Sequence, residues 1–218
     1  MPKAWRREQS QDQFFRRAKA EGYRARSAYK LLELDVKFHL LAPGRAVLDL
    51  GAAPGSWSQV VVRQCRGLCA LVAVDLQEMQ PLPGALILQD DIADPALQAA
   101  LAAALPGGAD VVLSDVSPRV SGIAITDHAR SIALAEASLA VALRFLKPGG
   151  SFVVKVFQGE DFDGFVRLAR RSFAKVQVFQ PQASREESRE RYVVGLVFQP
   201  GSAAAAFTAE SAESAEDR

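Results

Sequence analysis

Short apolar runs, each with a polar or acidic residue at or near its end, alternate with helical segments through most of this chain. The runs are AVLDL (46–50), ALVAVD (70–75), ALILQDD (85–91), ADVVLSD (109–115) and SFVVKVF (151–157), with helical segments at 56–66, 95–105 and 126–146. Strands apolar on both faces need cover on both faces, so this alternation requires a mainly parallel sheet with helices on each side. Thr126 is placed to cap the long helix, and Lys147-Pro148-Gly149-Gly150 to stop it. Upstream, RSAYKLLELDVKFHLL (26–41) carries Tyr29, Leu32, Val36 and Leu40 at helical spacing, ended by Pro43-Gly44. After a helical segment at 162–172 the rhythm changes. KVQVF (175–179) and RYVVGLVF (191–198) are joined by a polar loop with no room for a helix, so they are expected to pair antiparallel.

The chain's 218 residues, 49% of them hydrophobic, suffice for one α/β domain with short extensions. The body is expected at 25–200, a basic arm at 1–24 and a disordered acidic tail at 201–218, which is rich in Ala, Ser and Glu. Residues 1–30 hold nine Lys/Arg against three acids, while the whole chain nets only +1. A basic arm on a near-neutral body suits a polyanionic partner; a solvated helix face is the alternative. No run approaches the ~18 apolar residues of a membrane span. The stretch MPKAWRREQSQDQFFRRAK has no apolar core of a secretory signal, and Glu8 and Asp12 weigh against a mitochondrial presequence. Cys65 and Cys69, four apart on the expected helix, read as buried or half-buried thiols in a reducing compartment. His39 and His128 form no ligand cluster, and no metal is expected.

The turn in VLDLGAAPGSWSQ (47–59) is neither GxGxxG nor a P-loop. Asp49 stands directly before it, where a carboxylate repels a pyrophosphate but attracts an ammonium or a sulfonium. Asp75 ends the second strand, where an acid accepts both hydroxyls of a ribose. Asp91 ends the third run and is placed to accept from an exocyclic amine. A ribose, a base amine and positive charge without phosphate describe S-adenosylmethionine; the alternative is that these acids only cap helices. Lys155 lies within an apolar run, and a buried ammonium is costly unless paired. Either it snorkels to solvent, or it pairs with Asp115 in SDVSP and acts on the proton of a hydroxyl.

The chain resembles the FtsJ/RrmJ family of ribosomal RNA 2′-O-methyltransferases over residues 12–198. The resemblance is carried by GYRARSAYKLLEL, VLDLGAAPGSWSQVV, AVDL, LQDDIAD, LSDVSPRVSG, LKPGGSFVVKVFQGEDF and SREESRERYVV. It implies a Rossmann-like methyltransferase fold, a seven-stranded, mostly parallel sheet whose last strand is antiparallel. It implies a catalytic tetrad of Lys30, Asp115, Lys155 and Glu190. It implies cofactor contacts at Gly55, Trp57, Asp75, Asp91 and Asp115, with S-adenosylmethionine as cofactor. The implied substrate is a 23S rRNA uridine in the large ribosomal subunit, methylated by a cytoplasmic monomer that needs no membrane. Lys155 would be the general base or steer the hydroxyl's lone pair, Asp115 would hold it, and Lys30 and Glu190 would position the ribose. A transfer RNA 2′-O-methyltransferase and a catalytically idle assembly factor are the alternatives. Arg119, in SPRVSG, stands where the family often has Asn.

Overall fold

The computed structural model describes residues 13–92, 94–185 and 188–201. The first half of the expected arm and nearly all of the expected tail lie outside the described residues.

The elements run in the order the alternation requires. Helix α1 (Gln13–Ala20) and helix α2 (Ala28–Phe38) precede strand β1 (Ala46–Leu50). Then come α3 (Ser56–Gln64), β2 (Ala70–Asp75), β3 (Ala85–Gln89), α4 (Pro95–Ala104) and β4 (Ala109–Ser114). The long helix α5 (Ala124–Phe145), β5 (Leu146–Phe157), α6 (Phe162–Arg170), β6 (Phe173–Phe179) and β7 (Glu190–Phe198) complete the chain. The seven strands form one sheet in the order β3-β2-β1-β4-β5-β7-β6. From β3 to β5 every pair is parallel, while β7 is antiparallel to both β5 and β6. The antiparallel pairing expected of the last two strands is therefore present, and the final strand is inserted next to β5.

Alternate residues along each strand divide the core into two layers, as a period of two demands. Leu48, Leu50, Val72, Val112 and Val154 pack with α4, α5 and α6 on one face. Val47, Leu71, Leu113, Val153 and Tyr192 pack with α2 and α3 on the other. Helix α4 starts on Asp94, whose carboxylate accepts from Ala96 N–H at 2.7 Å, with Pro95 at the first helical position.

Several local expectations are corrected. Helix α5 begins at Ala124 after Ile123, so Thr126 lies inside the helix and does not cap it. Helix α2 buries Ala28, Tyr29, Lys30, Leu31 and Leu34, while Val36 is 77% exposed. It stops at His39, in the left-handed region with its N–H on Asp35 O, before Pro43-Gly44 is reached. Strand β3 ends at Gln89, which leaves Asp91 in the following loop. Cys65 closes α3 and is buried, but Cys69 lies beyond the helix and is half-buried. His128 is buried, with Nδ1 3.0 Å from Phe157 O and Nε2 3.0 Å from Asp161 N.

Candidate active site

The strand order reverses between β1 and β4, and in open α/β sheets the ligand crevice lies at the carboxyl ends of the strands at that point. Here the chain turns sharply after β1. Gly51 has φ +69°, and a Cβ on it would sit 2.8 Å from the Val116 Cα. No side chain fits between the two strand ends, so backbone lines the floor. The N–H groups of Gly51 and Ala52 both reach Val74 O, which ties the turn to β2.

A cleft of about 400 Å³ opens over this floor, bordered by Gly51, Asp75, Asp91, Ile92, Asp115 and Pro118. Asp75 is preset by two backbone donors: Ala53 N–H to Oδ2 at 2.9 Å and Gln77 N–H to Oδ1 at 2.8 Å. Each carboxylate oxygen has a second lone pair, so Asp75 can still receive two hydroxyls. Asp91 is exposed on the cleft wall beside Asp90. Asp49 is fully buried beneath the turn; Ser58 Oγ donates to its Oδ2 at 2.6 Å, while Oδ1 has no hydrogen-bond partner. Burial pushes this carboxyl up to about 7, with the Asp115 and Asp75 charges adding to the rise against the Ser58 hydrogen bond. A cleft walled by carboxylates, with a buried and unsatisfied one below it, suits a cationic ligand bearing hydroxyls.

Gly55 and Trp57 open α3, where the first N–H groups have no helical acceptor. The Trp57 side chain does not face the cleft residues. It is 2% exposed, its indole N–H donates to Ser27 O at 2.8 Å, and its ring lies 5.7 Å from that of Tyr192. Trp57 thus offers its backbone to the turn and wedges its side chain under α2.

The four polar residues singled out in the sequence come together beside this cleft. Lys155 Nζ donates to Asp115 O at 2.7 Å and lies 3.1 Å from Asp115 Oδ1. Lys30 Nζ lies 2.6 Å from Glu190 Oε2. Lys155 and Lys30 are both buried, so neither behaves as a solvated surface lysine. Burial pushes the Asp115 carboxyl up, but the Lys155 and Lys30 charges and the Tyr192 and Lys155 hydrogen bonds outweigh it and hold the group below the usual carboxylate range. The β5–β7 register builds this cluster, because Lys155 pairs with Tyr192 and Phe157 with Glu190. Residues directly paired share a face, and Glu190 and Tyr192, two apart on β7, share it too.

Tyr192 is the residue that sequence reasoning missed. Its hydroxyl donates to Asp115 Oδ1 at 2.8 Å from a fully buried ring, and Lys30 Nζ lies 5.9 Å from the ring centroid. The signal was its spacing from Glu190 in RERYVV, which places both on one strand face. A second cleft, about 490 Å³, takes Lys30 and Glu190 of the cluster into its lining together with Arg26, Ser27, Arg185 and Ser188. Arg119 is exposed on the rim of the first cleft. Its loop is pinned by Asp127, which accepts from Ser121 N–H and Oγ at 2.7 Å and from Gly122 N–H at 3.1 Å.

Six parallel strands with one antiparallel strand slipped in beside β5 make the sheet of the Rossmann-like methyltransferases, and fold and site place this chain in that class. Residues 23–198 match the FtsJ-like methyltransferase family, to which the chain belongs. As a family these enzymes depend on S-adenosylmethionine. The chain is 51% identical over 195 residues to the ribosomal RNA large subunit methyltransferase E of Azoarcus sp. strain BH72, covering 89% of this chain and 95% of the relative. It is 50% identical over 184 residues to the protein of that name from Methanothrix thermoacetophila, covering 84% of this chain and 71% of the relative. A solved ribosomal RNA methyltransferase structure from Plasmodium falciparum superposes with a TM-score of 0.75 at 28% identity, over 81% of this chain and 98% of that one. Among the described residues no helix is long and apolar enough to cross a membrane.

Proposed function

We propose that the chain methylates the 2′-hydroxyl of a ribose in large-subunit ribosomal RNA, a uridine of the 23S molecule, with S-adenosylmethionine as donor. It is read as a cytoplasmic, monomeric enzyme: a body at 25–200, the basic arm of 1–24 reaching for RNA, and an acidic tail at 201–218. The observation that carries the reading is the four-residue cluster, whose Asp115 borders an acidic cleft suited to the donor and whose Lys30 and Glu190 line a cleft bearing Arg26 and Arg185 suited to RNA phosphates. The names of the relatives support ribosomal RNA as substrate.

S-adenosylmethionine supplies an electrophilic methyl carried on a sulfonium. Asp75 would accept the two ribose hydroxyls of that donor, Asp91 would accept from the adenine amine, and the backbone at Gly55 and Trp57 would help to hold it at the turn. Lys155 would meet the attacking hydroxyl and, as the free amine, take its proton or, as the ammonium, turn the hydroxyl's lone pair toward the methyl. Asp115, held by Tyr192, keeps Lys155 in place and adds negative charge to the donor side. Lys30 and Glu190 lock each other at the mouth of the basic cleft and position the acceptor ribose. A displacement needs three atoms in line, so this positioning supplies much of the rate.

The test is alkaline digestion of RNA labelled through the donor's methyl group. Alkaline cleavage needs a free 2′-hydroxyl, so ribose-methylated product survives as an uncut dinucleotide. Label recovered there from large-subunit RNA supports the reading. Label in single nucleotides places the methyl on a base, and label only in transfer RNA changes the substrate.

A further inference from the structure

The basic stretch before Lys30 holds an arginine whose guanidinium donates to three of the protein's own backbone carbonyls. Arg24 Nη1 donates to Pro54 O and to Gln80 O, each at 3.0 Å, and Nη2 donates to Pro81 O at 2.8 Å. Its backbone N–H donates to Gln59 Oε1 at 2.8 Å, and Gln59 Nε2 returns to Gly22 O at 3.0 Å. Pro54 belongs to the glycine turn after β1, and Gln80 and Pro81 to the connection after Asp75. The guanidinium therefore bridges the two loops that enclose Asp75. The fit is close, since a Cβ at Gly55 would lie 2.5 Å from Arg24 Nη1 and 3.1 Å from Met79 Cε. Gly55 also has φ +105°, so the turn accepts the arginine only because this position has no side chain.

We infer that Arg24 is a positioning residue for the methyl donor and not a contact for RNA phosphate. The inference rests on the proposed function. Arg24 clamps the turn against the connection after β2, and this keeps the Ala53 and Gln77 N–H groups on the Asp75 oxygens. The planar fork reaches three carbonyls at once; a lysine offers one point charge on a flexible stem and cannot. Charge alone would satisfy a phosphate, so a lysine at this place separates the two roles.

Full-length wild type, Arg24→Lys and Arg24→Ala are titrated with S-adenosylhomocysteine by calorimetry. Their binding to large-subunit ribosomal RNA is measured separately as a function of salt. Both variants are expected to lose about tenfold in cofactor affinity, or about 1.4 kcal/mol, with the salt slope for RNA unchanged. In turnover the loss falls on KM for S-adenosylmethionine more than on kcat. An Arg24→Lys protein that binds the cofactor like wild type overturns the assignment, as does an Arg24→Ala protein that loses only RNA affinity and salt slope. If Arg24→Ala fails to fold, the lysine variant decides. Failure of the wild type to bind the cofactor counts against the proposed function instead.

Discussion

Lys155 lies among Val153, Val154, Val156 and Phe157 on β5, all apolar, and Asp115 makes this tolerable. Breaking one half of a buried pair costs about 3–5 kcal/mol, so Lys155→Ala is expected to lower stability as well as to abolish methyl transfer. Cofactor binding is expected to persist, because the role proposed for the lysine is toward the hydroxyl; a variant that folds, binds S-adenosylhomocysteine and still turns over near the wild-type rate refutes that role. Asp49 titrates in the opposite sense to Asp115. An unfolded aspartate ionises near 3.9, and the folded one at about 7. Between those values the folded protein holds a proton that the unfolded chain has released, so stability falls as pH rises from about 4 to about 7. Urea unfolding of wild type and Asp49→Asn from pH 5 to pH 8 is expected to show the asparagine variant gaining on wild type, by at most about 1.4 kcal/mol per pH unit. A constant difference across that range contradicts the assignment. Asp115, held below its usual range, contributes stability that is lost only at more acid pH.

At the scale of elements, α1 shows how a charged segment divides its labour. Arg17 lies 2.6 Å from Glu21 Oε1, and its guanidinium sits 4.7 Å from the Tyr29 ring centroid, while Ala18 buries itself beside Tyr29 and Ala183. Arg16 and Lys19 are exposed on the same helix, and Arg26 lines the basic cleft. Neutralising Arg16, Lys19 and Arg26 together is expected to weaken RNA binding and flatten its salt dependence by roughly 0.7 per lost contact on single-stranded RNA. Neutralising Arg17 alone leaves the slope in place; the readout is the slope of log affinity against log salt for each variant. Net charge over residues 1–30 cannot make this distinction, because partners such as Glu21 and Pro54 O are set by tertiary contacts. The same limit explains the one misread position of α2. Of Tyr29, Leu32, Val36 and Leu40 only Val36 is exposed, and the helix also lies against α3 and the sheet through Ala28, Leu31 and Leu34, which the spacing did not single out. Strands β1 and β2 were legible to the residue, since apolar runs interrupted only by Asp49 and bounded by Arg45, Gly51 and Asp75 leave little choice of where each strand starts and stops.

For the whole molecule, the sheet order places the turn after β1, the acid that ends β2 and the acid after β4 around one crevice, so a ligand bound there would tie three strand ends together. A ligand that binds only the folded state stabilises it by about 2.7 kcal/mol at a hundred times its Kd, which for a chain of this size raises the melting midpoint by roughly 5–10 °C. S-adenosylhomocysteine is expected to produce that rise, with Asp75→Ala needing more ligand for the same effect; a midpoint that ignores the ligand argues against the crevice as its site. The tetrad was legible because each member sits in a distinctive motif. Tyr192 and the Trp57 side chain were not, because their roles come from the packing of β7 under α2, which spacing along the chain does not record. That strand has a bearing on how the molecule comes into being. Strand β6 joins the sheet only through β7, and β7 also delivers Glu190 and Tyr192 to Lys30 and Asp115. During synthesis every other strand emerges first, so a nascent chain holds β6 detached and Lys30 without its carboxylate until residues 190–198 arrive. Closure of the sheet and assembly of the Lys30–Glu190 and Asp115–Tyr192 contacts are then one late, long-range event, and a chain released before it carries an exposed strand edge and an incomplete polar cluster.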